Sequence, residues 1–504
     1  MPLTLKDFVV FRSLRVHQVL VAPKQVKAIY TVQKLDGETI SNELIYSYNE
    51  AIFDPRSKED VNMAALMLAQ VALNYGLFCE QIIFEGLFDA HDKLFLKEML
   101  ENTAREIYVN KLLAENEFLK PDFANLQHQT QKKYAAAELI FISPTNQKPF
   151  VVKKAEPDVN KFAILSSGGK DSLLSYGILN ELFEAHPVFV NESGRHWYTA
   201  YNAYHGMEKL EPNTSKVWCN SDRIFNWMVR QMPFIKENFQ NIRADIYPIR
   251  LWTVAVFLFG VIPVARKRNI KNIIIGNEYD TTLQLNYQGV THYAALYDQS
   301  KYFDNALSRY YVKKGWNFYQ YSILRSLSEL LILKILVKRY PDLQRFQVSC
   351  HAAHKEGEKM LSCGNCEKCR RIVGMLTALD EDPKRCGYTD AQIEKCLKAL
   401  GSKKVKQLGQ DAQQLYYMLY QKGLIEENEH TKKLAKENPQ ILQLRYDNER
   451  SQIEDLPKFI REPLLDLILP YTQGVVKMEN RKWVKSDKAA LKLADTTYKI
   501  KQNG

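Results

Sequence analysis

Short apolar runs and two longer helical patterns divide the first 155 residues. Runs rich in apolar and β-branched residues predict strands at Phe8–Phe11, Ala28–Val32, Glu43–Tyr46 and Gln81–Phe84. The segment Asp60–Tyr75 is apolar on nearly all sides, and Asp89–Leu112 repeats apolar residues every 3.6 positions, so both predict helices. The proline-containing stretch Ser143–Lys161 predicts a linker. We therefore expect an N-terminal α+β domain at 1–155.

From 156 to 400 the pattern alternates between short apolar runs and helical segments. The apolar runs predict strands at Phe162–Leu165, Pro187–Val190, Ile242–Ile246 and Asn272–Ile275. Helical periodicity lies between or beside them, at Leu173–Phe183, Asp222–Phe234 and Trp252–Ala265. Repeated strand–helix–strand units predict an α/β fold, a doubly wound parallel sheet with helices on both faces. Ligands of such sheets bind beyond the carboxyl ends of the strands.

The last region, 401–504, is charged, and its periodicity predicts helices at Gln413–Leu424 and Leu456–Leu469. We therefore expect a helical C-terminal region. Across the 504 residues, 46% are hydrophobic and 25% charged, which is typical of soluble globular proteins. We find no apolar run of about 18 residues and no secretory signal at the N-terminus. The expected location is the cytoplasm, without a membrane partner.

The chain is basic, with a net charge of +11 and a pI near 9.0. One interpretation is a solvated basic surface. The other is an acidic partner, either a nucleotide substrate or a nucleic acid such as tRNA. Composition alone does not decide between them.

The most informative motif is a glycine-rich turn between the strand Phe162–Leu165 and the following helix. Two glycines let the backbone approach an anion, and the helix offers free N–H groups and the positive end of its dipole. The two serines add hydroxyl donors, and the lysine adds a positive charge. The aspartate either helps to hold Mg²⁺ on a triphosphate or caps the helix. These residues are Ser167, Gly168, Gly169, Lys170, Asp171 and Ser172.

Further polar residues follow the later strands. Glu278 and Asp280, after the strand Asn272–Ile275, are candidates for a metal ligand or a base. Arg325 suits a phosphate or carboxylate, although an ion pair with Glu329 four residues later explains it equally well. Asn191 ends the strand Pro187–Val190 and either contributes to a nucleotide site or caps a turn.

Four of the eight cysteines cluster late in the chain. Cys363, Cys366 and Cys369 are separated by two residues each, and Cys350 lies thirteen positions before them. Thiols so close together in a long cytoplasmic chain indicate a metal site rather than disulfides. Four thiolates suit a closed, structural Zn²⁺ site, and an iron–sulfur cluster is the alternative. We expect the metal to fix the loop Ser349–Arg371 against the core.

The unbroken Ser167–Ser172 motif resembles the signature of the PP-loop ATP pyrophosphatases. This resemblance implies that the loop grips the β and γ phosphates of ATP, with Mg²⁺, while a substrate oxygen attacks the α phosphorus and an adenylate forms. Lys170 and Asp171 would then be catalytic. The resemblance also implies that Asn191 packs near the adenine.

Pairing this loop with the cysteine run resembles two families within that superfamily. The UDP-N-acetylmuramoyl-L-alanyl-L-glutamate epimerase family is the more similar, over roughly residues 60–380. The matching segments are Tyr108–Lys111, Gly168–Ser172, Asn277–Glu278, Ser322–Leu330 and Cys363–Cys369. The 7-cyano-7-deazaguanine synthase family is similar in the loop and in its four cysteines, but it has neither the long N-terminal domain nor the extra tail. The Tyr279–Thr282 segment departs from the epimerase pattern.

We therefore expect an enzyme that adenylates a small-molecule carboxylate and releases pyrophosphate. The adenylate then undergoes either epimerisation or ligation. Epimerisation needs a base, for which Glu278, Asp280 and His292 are the candidates. A tRNA-modifying enzyme is an alternative, and a nucleotide-binding sensor subunit is the non-enzymatic one. A homodimer is also compatible with the sequence.

Overall fold

The computed structural model describes residues 3–143, 156–242, 247–350, 352–406 and 409–487. The first of these segments forms strands and two long helices, the second of which ends in a π-helical turn at Tyr108–Leu113. These elements are β1 (Phe11–Ala22), β2 (Gln25–Lys34), β3 (Thr39–Tyr48), α1 (Lys58–Ala69), β4 (Cys79–Glu85), α2 (Ala90–Ile107) and β5 (Glu138–Ile142).

The middle of the chain alternates strand and helix, as predicted. Its strands are β6 (Asp158–Ser166), β7 (Glu184–Asn191), β8 (Ser215–Cys219), β9 (Ile270–Ile274), β10 (Gln284–Tyr287), β11 (Val290–Tyr293), β12 (Tyr319–Tyr321), β13 (His354–Glu356) and β14 (Lys359–Leu361). Its helices are α3 (Lys170–Leu182), α4 (His196–Leu210), α5 (Ser221–Arg230), α6 (Val254–Lys267), α7 (Lys301–Lys313), α8 (Glu329–Arg339), α9 (Pro341–Gln344), α10 (Glu367–Ala378) and α11 (Asp390–Leu400).

Ten strands form one mixed, largely parallel sheet in the order β12-β9-β6-β7-β8-β3-β2-β1-β4-β5. The five strands from β12 to β8 are mutually parallel. In this order β6 lies between β9 and β7. The chain leaves β6 toward β7 on one side and leaves β9 toward β12 on the other, so the two connections run in opposite directions. This arrangement is the topological switch point at which doubly wound sheets bind ligands.

Both faces of the parallel part are covered, which explains its continuous apolar runs. Along β6, Ala163 packs into a core shared with α6, whereas Phe162 and Ile164 pack into a second core with α3 and α8. Leu444 and Ile460 of the C-terminal region belong to this second core. The last described region therefore packs directly on the helices that flank the parallel part of the sheet.

The N-terminal strands continue the same sheet across an antiparallel seam. Tyr46 of β3 pairs with Cys219 of β8, and Tyr48 pairs with Val217. Just beyond β8, the side chain of Asn220 accepts a hydrogen bond from the Ile45 amide at 2.8 Å. The same side chain donates to the Glu43 carbonyl at 2.7 Å. The domain boundary near residue 155 remains a prediction, but strands from both sides of it share one sheet.

The prediction of a helical C-terminal region is only partly correct. The helices α12 (Gly409–Gln421), α13 (Glu429–Leu434) and α14 (Lys458–Ile468) are present. The described part also contains a sheet of β15 (Leu444–Tyr446), β16 (Val475–Glu479) and β17 (Lys482–Lys485). These strands are too short to leave a clear alternation in the sequence, and β15 is buried along its length.

The remaining predictions concern individual segments of the chain. Phe8 ends a 3-10 helix, Leu5–Phe8, so the first strand begins later than predicted. The predicted strand Ile242–Ile246 falls largely outside the described residues, as does most of the predicted linker Ser143–Lys161. The end of that linker was wrongly predicted, because β6 already begins at Asp158. Among the helices that the structure describes, we find none with the length and hydropathy needed to span a lipid bilayer.

The seam between β3 and β8 yields a stability prediction. Asn220→Ala removes two hydrogen bonds and leaves the Ile45 amide without its partner, so we expect a loss of about 1–3 kcal/mol in the free energy of unfolding. Urea denaturation followed by circular dichroism measures it. Asn49→Ala, at an exposed position, serves as the control and should change stability by less than about 0.5 kcal/mol. Equal effects in the two variants would contradict the assigned role of Asn220.

Candidate functional site

The phosphate loop predicted from sequence lies between the end of β6 and the start of α3. Ser166 ends the strand, and Lys170 is the first helical residue, with Gly169 as its extended N-cap. The loop therefore sits at the carboxyl edge of the sheet, at the switch point between β6 and β9. The first N–H groups of α3 have no partner within the helix and point toward this edge, as anion sites at helix N-termini require.

Neighbouring elements contact the backbone of the loop so closely at Gly168 that only glycine fits at this position. Gly168 adopts a φ of +72°, and a Cβ there would lie 2.5 Å from the carbonyl oxygen of Thr199 in α4. A Cβ on Gly276, which follows β9, would lie 2.8 Å from the Cβ of Asp171. The phosphate loop, α4 and the loop after β9 are therefore in direct contact.

The serines of the motif shape the turn. The Ser172 hydroxyl accepts from the Ser167 amide at 3.3 Å and donates to the Gly169 carbonyl at 3.1 Å. Ser172 is buried, whereas Ser167 is exposed at the edge of the sheet. Ser172 thus holds the loop closed, and Ser167 remains accessible to a ligand.

Lys170 occupies the electrostatic centre of the site. Its side chain is only 7% exposed. Its Nζ lies 2.8 Å from Asp171, 3.5 Å from Glu278 and 3.3 Å from Glu329. Burial opposes the charge of Lys170, but the three carboxylates outweigh it and raise its pKa. One ammonium group therefore joins the phosphate loop, the loop after β9 and the first turn of α8.

The carboxylates after β9 are perturbed by this crowding. Burial raises the pKa of Glu278 to about 8; Lys170 acts in the opposite direction, and Glu329 and Asp171 add to the rise. Burial also raises the pKa of Asp280, while Arg445 and Arg450 lower it. Carboxyl groups with perturbed pKa values are typical of functional sites.

The other predicted residues are placed differently. Arg325 is buried behind the loop after β9, where it contacts Asp304 and donates to the hydroxyls of Thr281 and Thr282 at 3.0 and 2.9 Å. The predicted Arg325–Glu329 pair is therefore replaced by other partners. Arg325 supports this loop from the protein side.

Asn191 and His292 also have local surroundings. The side-chain carbonyl oxygen of Asn191 accepts a hydrogen bond from the Ser193 amide at 3.0 Å, so Asn191 caps the turn after β7. His292 lies on β11, and within the described chain no hydrogen bond or ion pair joins it to Lys170, Asp171 or Glu278. Its Nδ1 is buried and lacks a hydrogen-bond partner there.

The four predicted cysteines converge. Their Sγ atoms all lie within 4.8 Å of one another. Two Sγ–Sγ distances are 3.8 Å, from Cys350 to Cys366 and from Cys363 to Cys369, and the Cys366–Cys369 distance is 3.4 Å. Tetrahedral Zn–S bonds of about 2.3 Å separate sulfurs by roughly 3.8 Å. The cluster could therefore hold a structural zinc ion.

Backbone amides surround these sulfurs. The amide of Cys363 donates to the Cys350 Sγ at 3.2 Å, and the amide of Cys366 donates to the Cys363 Sγ at 3.4 Å. Such N–H···S contacts stabilise thiolate rather than thiol. The chemistry of the donor set thus agrees with its geometry.

The cysteine loop is connected to the phosphate loop by two routes. Asn202 of α4 pairs with both the amide and the carbonyl of Met360, each at 2.8 Å, and α4 also packs against Gly168. The second route is α10, which begins directly after Cys366. Its Arg371 lies 3.4 Å from Glu329, which contacts Lys170. A metal ion in the cluster would therefore fix the start of α10 beside the phosphate loop.

Sequence motifs did not reveal several residues of the site. The sequence assigns Glu329 no role beyond a pair with Arg325 and its place in the Ser322–Leu330 segment, and Arg371 carries no motif beyond its closeness to the cysteines. Arg445 and Arg450 come from the C-terminal region, more than 100 residues from the loop that they contact. No local pattern could have identified these two.

The metal assignment predicts how single cysteine changes act. Cys363→Ser removes one thiolate, so we expect loss of most of the bound zinc, with elemental analysis falling from about one ion per chain. Cys79→Ala, at a buried thiol outside the cluster, should retain the ion. Iron with labile sulfide, or unchanged zinc in Cys363→Ser, would contradict the assignment.

Comparisons with protein-family models, curated proteins and solved structures find no significant match for this chain.

Proposed function

We propose that this protein is an ATP-dependent enzyme that adenylates a substrate carboxylate and releases pyrophosphate. The observation that carries the proposal is Lys170, buried at the N-terminus of α3 at the switch point of the sheet. A lysine, a helix N-terminus and a glycine turn together suit a polyphosphate. The PP-loop resemblance of Ser167–Ser172 supports the same assignment.

The proposed chemistry follows from the charges around the loop. A carboxylate oxygen attacks the α phosphorus, the bond between the α and β phosphates breaks, and pyrophosphate leaves with its electron pair. Lys170 and the amides at the start of α3 stabilise the negative charge that develops on pyrophosphate. Arg371, 3.4 Å from Glu329, lies close enough to this centre to add a second cation.

Mg²⁺ fits this centre as an ion that arrives with the nucleotide. Within the described chain, only the four cysteines form a converged group of three or more metal-ligating side chains. Magnesium usually binds through one or two carboxylates together with phosphates, and Asp171, 2.8 Å from the Nζ of Lys170, is suitably placed. When bound, the ion would neutralise phosphate charge.

The fate of the adenylate separates the candidate activities. Joining the carboxylate to AMP cancels its charge, which permits either attack by an amine or removal of a neighbouring proton. Glu278, with its pKa raised to about 8, suits a base. We therefore favour the muramyl-peptide L-glutamate epimerase-like activity, with the 7-cyano-7-deazaguanine synthase-like ligase as the second candidate.

For the cysteine cluster we propose a structural zinc ion. Sulfurs within 4.8 Å of one another fit a single tetrahedral ion, whereas an iron–sulfur cluster distributes its thiolates over several irons. Four thiolates leave no open position for catalysis. The ion would act on activity only through the placement of α10.

The phosphate loop is tested by two substitutions. Lys170→Ala and Asp171→Ala should each reduce AMP and pyrophosphate formation by more than about 100-fold, since each removes a group that faces the phosphates or their metal. Mass spectrometry of products after incubation with ATP, Mg²⁺ and a panel of acids measures turnover. Lys209→Ala, an exposed charge on α4, is the control. Retained turnover in a folded loop variant would exclude the proposed role.

The raised pKa of Glu278 predicts a pH dependence. A carboxyl group loses its proton above its pKa, so activity that requires the Glu278 carboxylate should rise as pH increases through about 8. Glu278→Gln should lower activity and remove this limb of the profile of kcat/KM against pH. Glu278→Asp should keep a titrating limb. An identical profile in Glu278→Gln would assign the titration to another group.

A further inference from the structure

The C-terminal region packs onto the loop after β9, next to the Lys170 cluster. Tyr279, the residue after Glu278, is 3% exposed, and its hydroxyl donates to Asp447. The guanidinium of Arg445 lies 3.9 Å from the centre of the Tyr279 ring, and that of Arg450 lies 5.0 Å from it. Two cations thus flank one aromatic ring beside the candidate site.

Arg445 is held inside the protein with unused hydrogen-bonding capacity. Its side chain is 3% exposed, and one guanidinium nitrogen lies 3.5 Å from Asp411. Its Nε and Nη2 atoms are buried and lack hydrogen-bond partners in the described part of the chain. Buried donors without acceptors are costly, and Asp411 alone leaves this guanidinium incompletely paired.

Arg450 is the accessible member of the pair. Its side chain is 26% exposed, and its guanidinium lies 3.9 Å from Asp280, beyond hydrogen-bond distance. Asp447 holds the backbone beneath it by accepting from the amides of Glu449 and Arg450 at 2.8 and 2.6 Å. The base of the side chain is therefore fixed, while the guanidinium has only a loose partner.

We propose that Arg445 and Arg450 form a subsite that binds an oxyanion of the acid substrate. This inference rests on the proposed adenylation and adds to it the C-terminal region as part of the substrate site. Arg450 binds the oxyanion directly through its planar fork. Arg445 supplies positive charge from beneath, stacked on Tyr279.

The location agrees with this role. Asp280 follows Glu278 by two residues, so the subsite adjoins the carboxylates around Lys170. Arg445 and Arg450 both lower the pKa of Asp280, which burial and Glu329 raise. An acid held at Arg450 would therefore lie beside the phosphate loop, on the side of the C-terminal region.

Equilibrium binding of two small probes tests the subsite without turnover. Calorimetry with succinate represents a carboxylate, and calorimetry with inorganic phosphate represents a phosphate ester. We expect at least one probe to bind, and Arg450→Met to weaken that binding about tenfold or more. Arg450→Lys should be intermediate, because a point charge replaces the fork. Lys482→Met, an exposed charge on β17, should leave binding unchanged.

The two probes also show whether the subsite binds a carboxylate or a phosphate ester. Arg450-dependent binding of succinate identifies a carboxylate subsite, and Arg450-dependent binding of phosphate identifies a phosphate-ester subsite. Phosphate binding that is lost in Lys170→Ala but unchanged in Arg450→Met belongs to the phosphate loop and overturns the proposal, as does the absence of binding by both probes.

Turnover separates failure of the subsite from failure of the proposed function. If the chain adenylates an acid, Arg450→Met should raise the KM for the acid about tenfold and leave the KM for ATP unchanged. Equal changes in both KM values would contradict a role for Arg450 in binding the acid. Arg450-dependent probe binding without any pyrophosphate release would sustain the subsite while refuting the adenylation.

Discussion

The candidate site depends on the neutralisation of one buried ammonium group. Lys170 is almost fully enclosed, and an isolated charge at such a position would be strongly unfavourable. Asp171, Glu278 and Glu329 provide the compensation from α3, from the loop after β9 and from α8. Because these segments are joined to different strands, their charges meet only when the sheet is complete. The charge of Lys170 is therefore compensated only in the folded sheet, and the folded sheet in turn depends on that compensation.

The carboxylates around Lys170 are themselves paired with further cations. Arg371 balances Glu329, and its helix begins at the cysteine cluster. Arg445 and Arg450 approach Asp280 from the C-terminal region. Cations and carboxylates alternate across the site, so few charges are left without an opposite neighbour. A polyphosphate entering this network would exchange partners with existing ion pairs, which lowers the desolvation cost of binding.

Much of the parallel sheet could be predicted because its strands are short, apolar and separated by periodic helices. The position of the turn Ser167–Ser172 between a strand and a helix, and the convergence of the four cysteines, could be predicted because each motif is nearly contiguous. Glu329, Arg371, Arg445 and Arg450 were not, since tertiary packing alone brings them to Lys170 or Asp280. The pairing of β3 with β8 likewise joins segments about 170 residues apart, and alternation within either strand gives no sign of its partner.

The antiparallel seam has a consequence for how this protein can be divided. A fragment beginning at residue 156 would retain the phosphate loop but would lose β3, and the backbone of β8 would become an open edge. Exposed edges with unpaired N–H and C=O groups promote association between chains. Residues 3–143 thus cover the β8 edge of the parallel sheet, and expression trials that omit them should favour aggregated material over an isolated folded domain.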